Sequence, residues 1–65
     1  MKMTVKQILK KAKITQHDLA DILNVSQSAI SQRVKNGLSV SMEEAVVISK
    51  FTELTPRQIR PDMPE

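Results

Sequence analysis

The sequence contains no cysteine, one glycine and one aromatic residue, Phe51. Without cysteine, no disulfide or thiolate-ligated zinc can reinforce a chain of 65 residues. A single aromatic side chain cannot form a stacking platform for single-stranded nucleic acid. The lone His17 has no partner ligands at metal-binding spacing and no nucleophile beside it, and no glycine-rich phosphate loop occurs. The sequence therefore predicts no enzymatic activity, no cofactor or metal and no small-molecule ligand.

Long apolar runs are also missing. The stretch MKMTVKQILKKAK is charged throughout, and no apolar block follows it that could form a signal peptide or a membrane span. We therefore expect a soluble cytoplasmic protein with no membrane association, and the lack of cysteine agrees with that reducing compartment. A domain of this size buries only about 60% of its unfolded surface. Oligomerisation, most simply dimerisation, is the expected additional source of stability.

Charge is distributed unevenly along the chain, whose net charge is +3. Residues 1–37 hold seven basic and two acidic side chains, a balance of +5, whereas residues 38–65 hold three and five, a balance of −2. A basic front half suggests a surface for a polyanion and an acidic rear half a different partner. Incidental asymmetry in a small soluble protein would look the same, so charge alone does not decide the function.

Helical signals occupy almost the whole chain. Capping boxes begin at Thr4 and Ser41, Thr15 and Ser26 are further N-caps, and Thr55 precedes a proline suited to the first helical position. The predicted fold is all-α, a small bundle of four to five short helices forming a single domain over residues 1–65, with an irregular tail over about residues 60–65. A weaker alternative makes residues 39–47 a strand, because several of them are β-branched.

The fourth predicted helix, ending at about Thr52, carries more apolar residues than one core contact needs. They are Met42, Ala45, Val46, Val47, Ile48 and Phe51. This wide stripe, with the tail after Leu54, is the candidate dimer surface. Phe51 itself is expected in the core, with a dimer contact as the alternative. Arg57 and Arg60 are expected to be surface charges.

A helix-turn-helix is predicted over about residues 16–35. Its geometry needs a small residue where the two helices cross, an apolar residue in the turn and an apolar anchor in the second helix. Ala20, Val25 and Ile30 occupy these positions. Asn24 lies at the turn and tolerates the left-handed backbone conformation required there.

The segment QHDLADILNVSQSAISQ, residues 16–32, resembles the helix-turn-helix of the Cro-type phage and prophage repressors of the lambdoid family. Two positions depart from that family: Asn24 stands where glycine is usual, and Arg33 where many relatives carry an apolar residue. The resemblance implies a transcriptional repressor in a bacterial cell, associated with the nucleoid. It would bind a pseudo-palindromic double-stranded operator as a homodimer. Because the chain is so short, we expect dimerisation to be weak and to be completed on DNA.

The recognition helix of such a protein presents its N-terminal residues to base edges in the major groove. Glutamine can bridge N6 and N7 of adenine, and serine can donate to or accept from several bases. Gln16, at the start of the preceding helix, suits a phosphate, and cationic and polar side chains at the far end reach the backbone. The predicted DNA-binding residues are Gln16, Ser26, Gln27, Ser28, Ser31, Gln32, Arg33, Lys35 and Asn36.

A different class of function stays open. The chain could be a small protein–protein interaction module, antitoxin-like or inhibitory, that keeps the fold without binding specific DNA. It would use the apolar face around Val46, Val47 and Phe51 together with the acidic rear half. A serine- and glutamine-rich face can also be an ordinary solvated surface, and so can the lysines of the first helix.

Overall fold

The computed structural model describes residues 2–62, which form five helices. These are α1 Val5–Ala12, α2 Gln16–Leu23, α3 Gln27–Lys35, α4 Met42–Phe51 and α5 Pro56–Ile59. The predicted all-α bundle with a helix-turn-helix is confirmed. The alternative strand over residues 39–47 is wrong, because residues 42–51 are helical and only an isolated antiparallel bridge joins Thr4 to Ser39. Met63 to Glu65, the end of the predicted irregular tail, lie outside the described residues.

Every helix begins after a serine or threonine whose side-chain oxygen accepts a backbone N–H three residues further on. This satisfies one of the N–H groups that a helix start leaves without a partner. The predicted capping boxes at Thr4 and Ser41 are confirmed, and Thr15 and Thr55 form two more. Asp18 completes the box at Thr15. Hydrogen bonds from the backbone and side chain of Thr15 hold the pKa of the Asp18 carboxyl below its usual value.

Two helices end at residues in the left-handed conformation. Asn24 closes α2 with φ 56° and ψ 46°, as its position predicts. Lys13 closes α1 with φ 59° and ψ 43°, although lysine has no short side chain to compensate the strain of this conformation. A hydrogen bond offsets this strain, because the left-handed turn at Lys13 allows the backbone N–H of Ile14 to donate to the carbonyl of Leu9 at 3.1 Å.

The core collects side chains from every helix. Its largest fully buried members are Val5, Ile8, Leu19, Ile30, Ile48 and Ile59. Ile59 pins the short α5 to the body as predicted, and on α4 only Ala45 and Ile48 are buried. Phe51 is the exception to the predicted core, because it lies on the outer side of α4 with 66% of its surface exposed. The stripe on α4 is wider than the core it covers, and Phe51 falls beyond the edge of that core.

Hydrogen bonds join the two ends of the described chain to each other and to the loop after α3. The N–H of Met3 donates to the carbonyl of Ile59 and that of Val5 to the carbonyl of Leu38, both at 2.9 Å. The Arg60 guanidinium donates to the carbonyl of Val40 at 2.9 Å and to the carboxylate of Asp62, a bond that lowers the pKa of that carboxyl. The prediction of Arg60 as a plain surface charge is therefore wrong, since its side chain is only 14% exposed.

Lys13 gives a test of the left-handed turn. We expect Lys13→Gly to stabilise the protein by about 0.5–1 kcal/mol, because glycine adopts positive φ without strain and this gain exceeds its larger loss of chain entropy. Lys11→Gly is the matched control. It removes the same charge from the last turn of α1 and should destabilise by about 0.5–1 kcal/mol. Urea denaturation measures both, and a loss of stability in Lys13→Gly would contradict the assigned turn.

Candidate nucleic-acid interface

The position of α3 is set by the turn that joins it to α2. The N–H of Asn24 donates to the carbonyl of Asp21 at 3.2 Å and that of Val25 to the carbonyl of Ala20 at 3.0 Å. Ala20, the small residue of α2 that precedes the turn, is buried in the core, with 3% of its surface exposed. Val25 packs against the core and Ile30 lies fully inside it. These contacts fix one side of α3 and leave the other side to solvent.

Four of the predicted DNA-binding residues share this outer side. Gln27, Ser28, Ser31 and Gln32 are all exposed, at spacings of three and four residues that place them on one helical face. Over residues 2–62, the side chains of Gln27, Ser28 and Gln32 have no hydrogen-bonding partner. α3 carries no carboxylate. The face therefore offers free amide and hydroxyl groups without a charge that would repel phosphate.

The N-terminal edge of this face is made by two helix starts. Ser26 caps α3, its hydroxyl oxygen accepting the N–H of Ala29 at 3.1 Å. Gln16 is the first residue of α2 and is partly buried. The Ser31 hydroxyl donates to the side-chain amide oxygen of Gln16, Oε1, at 2.5 Å. This bond joins the middle of α3 to the start of α2. The structure thus brings Gln16 and Ser31 together.

The C-terminal edge carries Lys35 and Asn36, both exposed, and Arg33, which is half-buried. The Arg33 guanidinium donates to the Glu44 carboxylate at 3.0 Å, and both side chains are about three-quarters covered. Arg33 is thereby directed towards the start of α4, away from the open face. Val34, the next residue, packs against the core. It supplies the apolar contact that many relatives make with residue 33.

Glu44 serves two hydrogen bonds with one oxygen, accepting from Arg33 and from the backbone N–H of Ser41. Partial burial alone would raise the pKa of Glu44, but the bonds from Arg33 and Ser41 outweigh it, and the pKa lies below its usual value. The sequence contains a signal for this pair that the motif comparison passes over. Arginine at an otherwise apolar position needs a partner, and the first two acids that follow it in sequence, Glu43 and the capping Glu44, lie in the first turn of the next helix.

The rest of the described chain offers no other obvious chemistry. Within residues 2–62 no three His, Asp or Glu side chains lie close enough together to hold a metal ion. No helix in that part of the chain is both long and apolar enough to cross a bilayer. The solvent-facing side of α3 with its two edges is therefore the candidate site.

Comparison with known families agrees with this geometry. A helix-turn-helix family model matches residues 5–59, from the start of α1 to the end of α5. The chain belongs to this helix-turn-helix family, a family of DNA-binding domains of transcription regulators. The match establishes that regulator family and not the narrower lambdoid Cro group. No curated protein and no solved structure matches the chain.

The lowered pKa of Glu44 predicts a pH-dependent stability. Because the folded state binds this proton less readily than the unfolded state, the contribution of Glu44 is present at neutral pH and is lost as pH falls through its folded pKa. Glu44→Gln keeps the capping oxygen and removes the charge. We expect it to cost up to about 1 kcal/mol at pH near 7, with a difference from wild type that shrinks between about pH 5 and pH 3.

Glu43→Gln is the control for this experiment, since it removes the same charge from the same helical turn without touching Arg33. Its difference from wild type should be smaller than that of Glu44→Gln at neutral pH. The free energy of unfolding, measured by urea denaturation at each pH, decides the result. A Glu44→Gln difference that stays constant from neutral to acid pH would show that the charged pair contributes nothing.

Proposed function

We propose that this regulator is a repressor that binds a pseudo-palindromic double-stranded DNA operator as a homodimer, with one α3 of each subunit in the major groove. The observation that carries the proposal is the exposed face of α3, on which Gln27, Ser28 and Gln32 have no hydrogen-bonding partner among residues 2–62 while Ile30 anchors the opposite side. Gln27 is the foremost base-reading residue, because it lies in the first turn of α3 and its amide can bridge N6 and N7 of adenine.

The edges of the face are proposed to contact the DNA backbone. Gln16 offers its amide and the free N–H groups of the α2 N-terminus to a phosphate, and Ser26 offers its hydroxyl proton beside the α3 N-terminus. Lys35 and Asn36 reach a phosphate at the other end. Arg33 is also proposed to contact a phosphate, which requires its guanidinium to leave the Glu44 carboxylate when DNA binds.

The dimer surface is proposed to lie on the outer side of α4. Phe51 is 66% exposed there, Met42 is also exposed, and Val46 and Val47 are only partly buried. An exposed phenylalanine in so small a domain is a strong candidate for a contact with a second copy, since aromatic side chains dominate interface energetics. A symmetric dimer would place its two α3 helices in major grooves about one helical turn apart, roughly 34–36 Å.

Repression would follow from occupying the promoter. The resemblance to Cro-type proteins supports a phage or prophage switch in the bacterial cytoplasm, where the operator DNA lies. The protein–protein interaction module is the second candidate function, because Phe51 and Leu38, which is 50% exposed, would also serve a protein partner. Salt separates the two functions. Binding to DNA weakens steeply as salt rises, whereas apolar docking does not.

Selection from a random double-stranded DNA pool at near-physiological salt tests the proposed function. An inverted repeat with half-sites about one turn apart would establish a dimeric operator binder. A pool that stays random would contradict the proposed function and favour the interaction module.

Gln27→Ala tests the recognition face on the selected operator. We expect a loss of about 1–3 kcal/mol in binding and relaxed specificity at one base position of each half-site, because one bidentate contact is removed. Gln58→Ala makes the same chemical change in α5, where Gln58 caps the helix start, and should leave the base preferences unaltered. Fluorescence anisotropy with operator variants measures both proteins. Unchanged affinity and specificity in Gln27→Ala would show that α3 is docked in another register.

Phe51→Ser tests the dimer surface. Because Phe51 is not part of the core, the substitution should change the thermal stability of the monomer little and weaken self-association and cooperative operator binding at least tenfold, equivalent to about 1.4 kcal/mol. Leu38→Ser is the control, since it removes another exposed apolar side chain from outside α4. Sedimentation equilibrium measures association. Equal dimerisation of Phe51→Ser and wild type would show that Phe51 on α4 is not part of the dimer interface.

A further inference from the structure

The hydrogen bond between Ser31 and Gln16 limits what Ser31 can offer to a ligand. Ser31 lies on the exposed face of α3, and its hydroxyl donates its proton to the side-chain amide oxygen of Gln16. A serine hydroxyl has one proton and two acceptor lone pairs. With the proton engaged inside the protein, the Ser31 oxygen faces outward as an acceptor only.

Ser28 shows the contrast on the same helix. It is exposed one turn earlier on the same face, and nothing in residues 2–62 engages its hydroxyl. Ser28 can therefore rotate its hydroxyl to donate or accept, and it can serve any base edge. The two serines are chemically identical and differ only in the presence of Gln16 beside one of them.

The same bond orients Gln16. Its carbonyl oxygen is occupied by Ser31, so its NH₂ group is left as the free end of the amide, at the first residue of α2. Two N–H donors at a helix N-terminus are suited to a phosphate oxygen. The Gln16–Ser31 pair thus presents the Gln16 NH₂ group as a donor for the DNA backbone and the Ser31 oxygen as an acceptor for a base.

We propose that Gln16 makes Ser31 a selective reader of amino groups in the major groove, an inference that rests on the proposed operator binding. The base facing Ser31 must present a donor, which means adenine through N6 or cytosine through N4. Guanine and thymine present O6, N7 or O4, which are acceptors, and two acceptors facing each other leave both without a proton. Gln16 acts here as a positioning residue, and Ser31 is the specificity-determining residue.

The test is operator selection and quantitative binding with wild type, Ser31→Ala, Gln16→Leu and the control Ser28→Ala. Ser31→Ala identifies the base position that Ser31 reads, since only there should preference disappear. At that position wild type should favour adenine or cytosine over guanine or thymine by about fivefold, the worth of one hydrogen bond. Both serines are exposed and alanine is the better helix former, so these variants keep the fold.

Gln16→Leu gives the decisive comparison. It removes the acceptor for the Ser31 proton, so the freed hydroxyl should donate as well as accept, and the preference at the Ser31 position should fall from about fivefold to near equality. The base profile at the position read by Ser28 should stay as it is in wild type, although overall affinity falls because the Gln16 phosphate contact is lost. A change confined to the Ser31 position cannot result from weaker binding alone.

Three results would overturn the inference. One is a wild-type preference for guanine or thymine at the Ser31 position, which would mean that Ser31 donates to the base. Another is an unchanged base profile in Gln16→Leu, and the third is the absence of any position that responds to Ser31→Ala. These results leave the operator intact and are therefore distinguishable from failure of the proposed function, in which the selected pool stays random and both proposals fall together.

Discussion

Asn24 turns the chain in the left-handed conformation, and the carbonyl of Ala20 then receives the N–H of Val25 at 3.0 Å. The rest of the site depends on this contact. It leads directly into α3 with Val25 packed against the core, and it sets the rotation at which Ile30 enters the core. Since successive residues of a helix differ by 100°, fixing Ile30 also fixes which side chains of α3 face solvent. Gln27, Ser28, Ser31 and Gln32 are exposed as a consequence of packing on the other side.

The far end of α3 is held by different means. The N–H of Leu38 donates to the carbonyl of Arg33, and the carbonyl of Leu38 accepts from Val5, each at 2.9 Å. The salt bridge from Arg33 to Glu44 ties the same turn to the start of α4. Because α3 is restrained at both ends and along one side, its exposed side chains have a rigid base. Preorganisation of this kind reduces the entropy that a partner must overcome on binding.

Local signals made most of the fold predictable, whereas long-range contacts did not. The caps at Thr4 and Ser41 act within four residues, and periodicity shows which side of a helix is apolar. Periodicity cannot show how much of that side is covered by other helices, and for this reason it places Phe51 in the core although the side chain is exposed. Arg60 binds a carbonyl twenty residues away, and Ser31 meets Gln16 across the turn. Such pairs depend on how the helices are assembled, which spacing along the chain does not encode.

A net charge of +3 gives this chain only a modest attraction to a polyanion such as DNA. The pairing of its acidic side chains reduces the repulsion that such a partner would meet. Three carboxylates of α2 and α4 have partners: Asp18 accepts from the backbone N–H of Thr15, Asp21 lies 3.4 Å from His17, and Glu44 accepts from Arg33. Each pairing reduces the local repulsion that a phosphate would meet, since an opposing charge or dipole lies beside the carboxylate. The Arg33 bridge has a second consequence. While it is formed, the bridge holds the one arginine of α3 away from the open face, so that the centre of this face presents uncharged groups. In the proposed operator complex, the hydrogen bonds of these groups would depend on the base they meet.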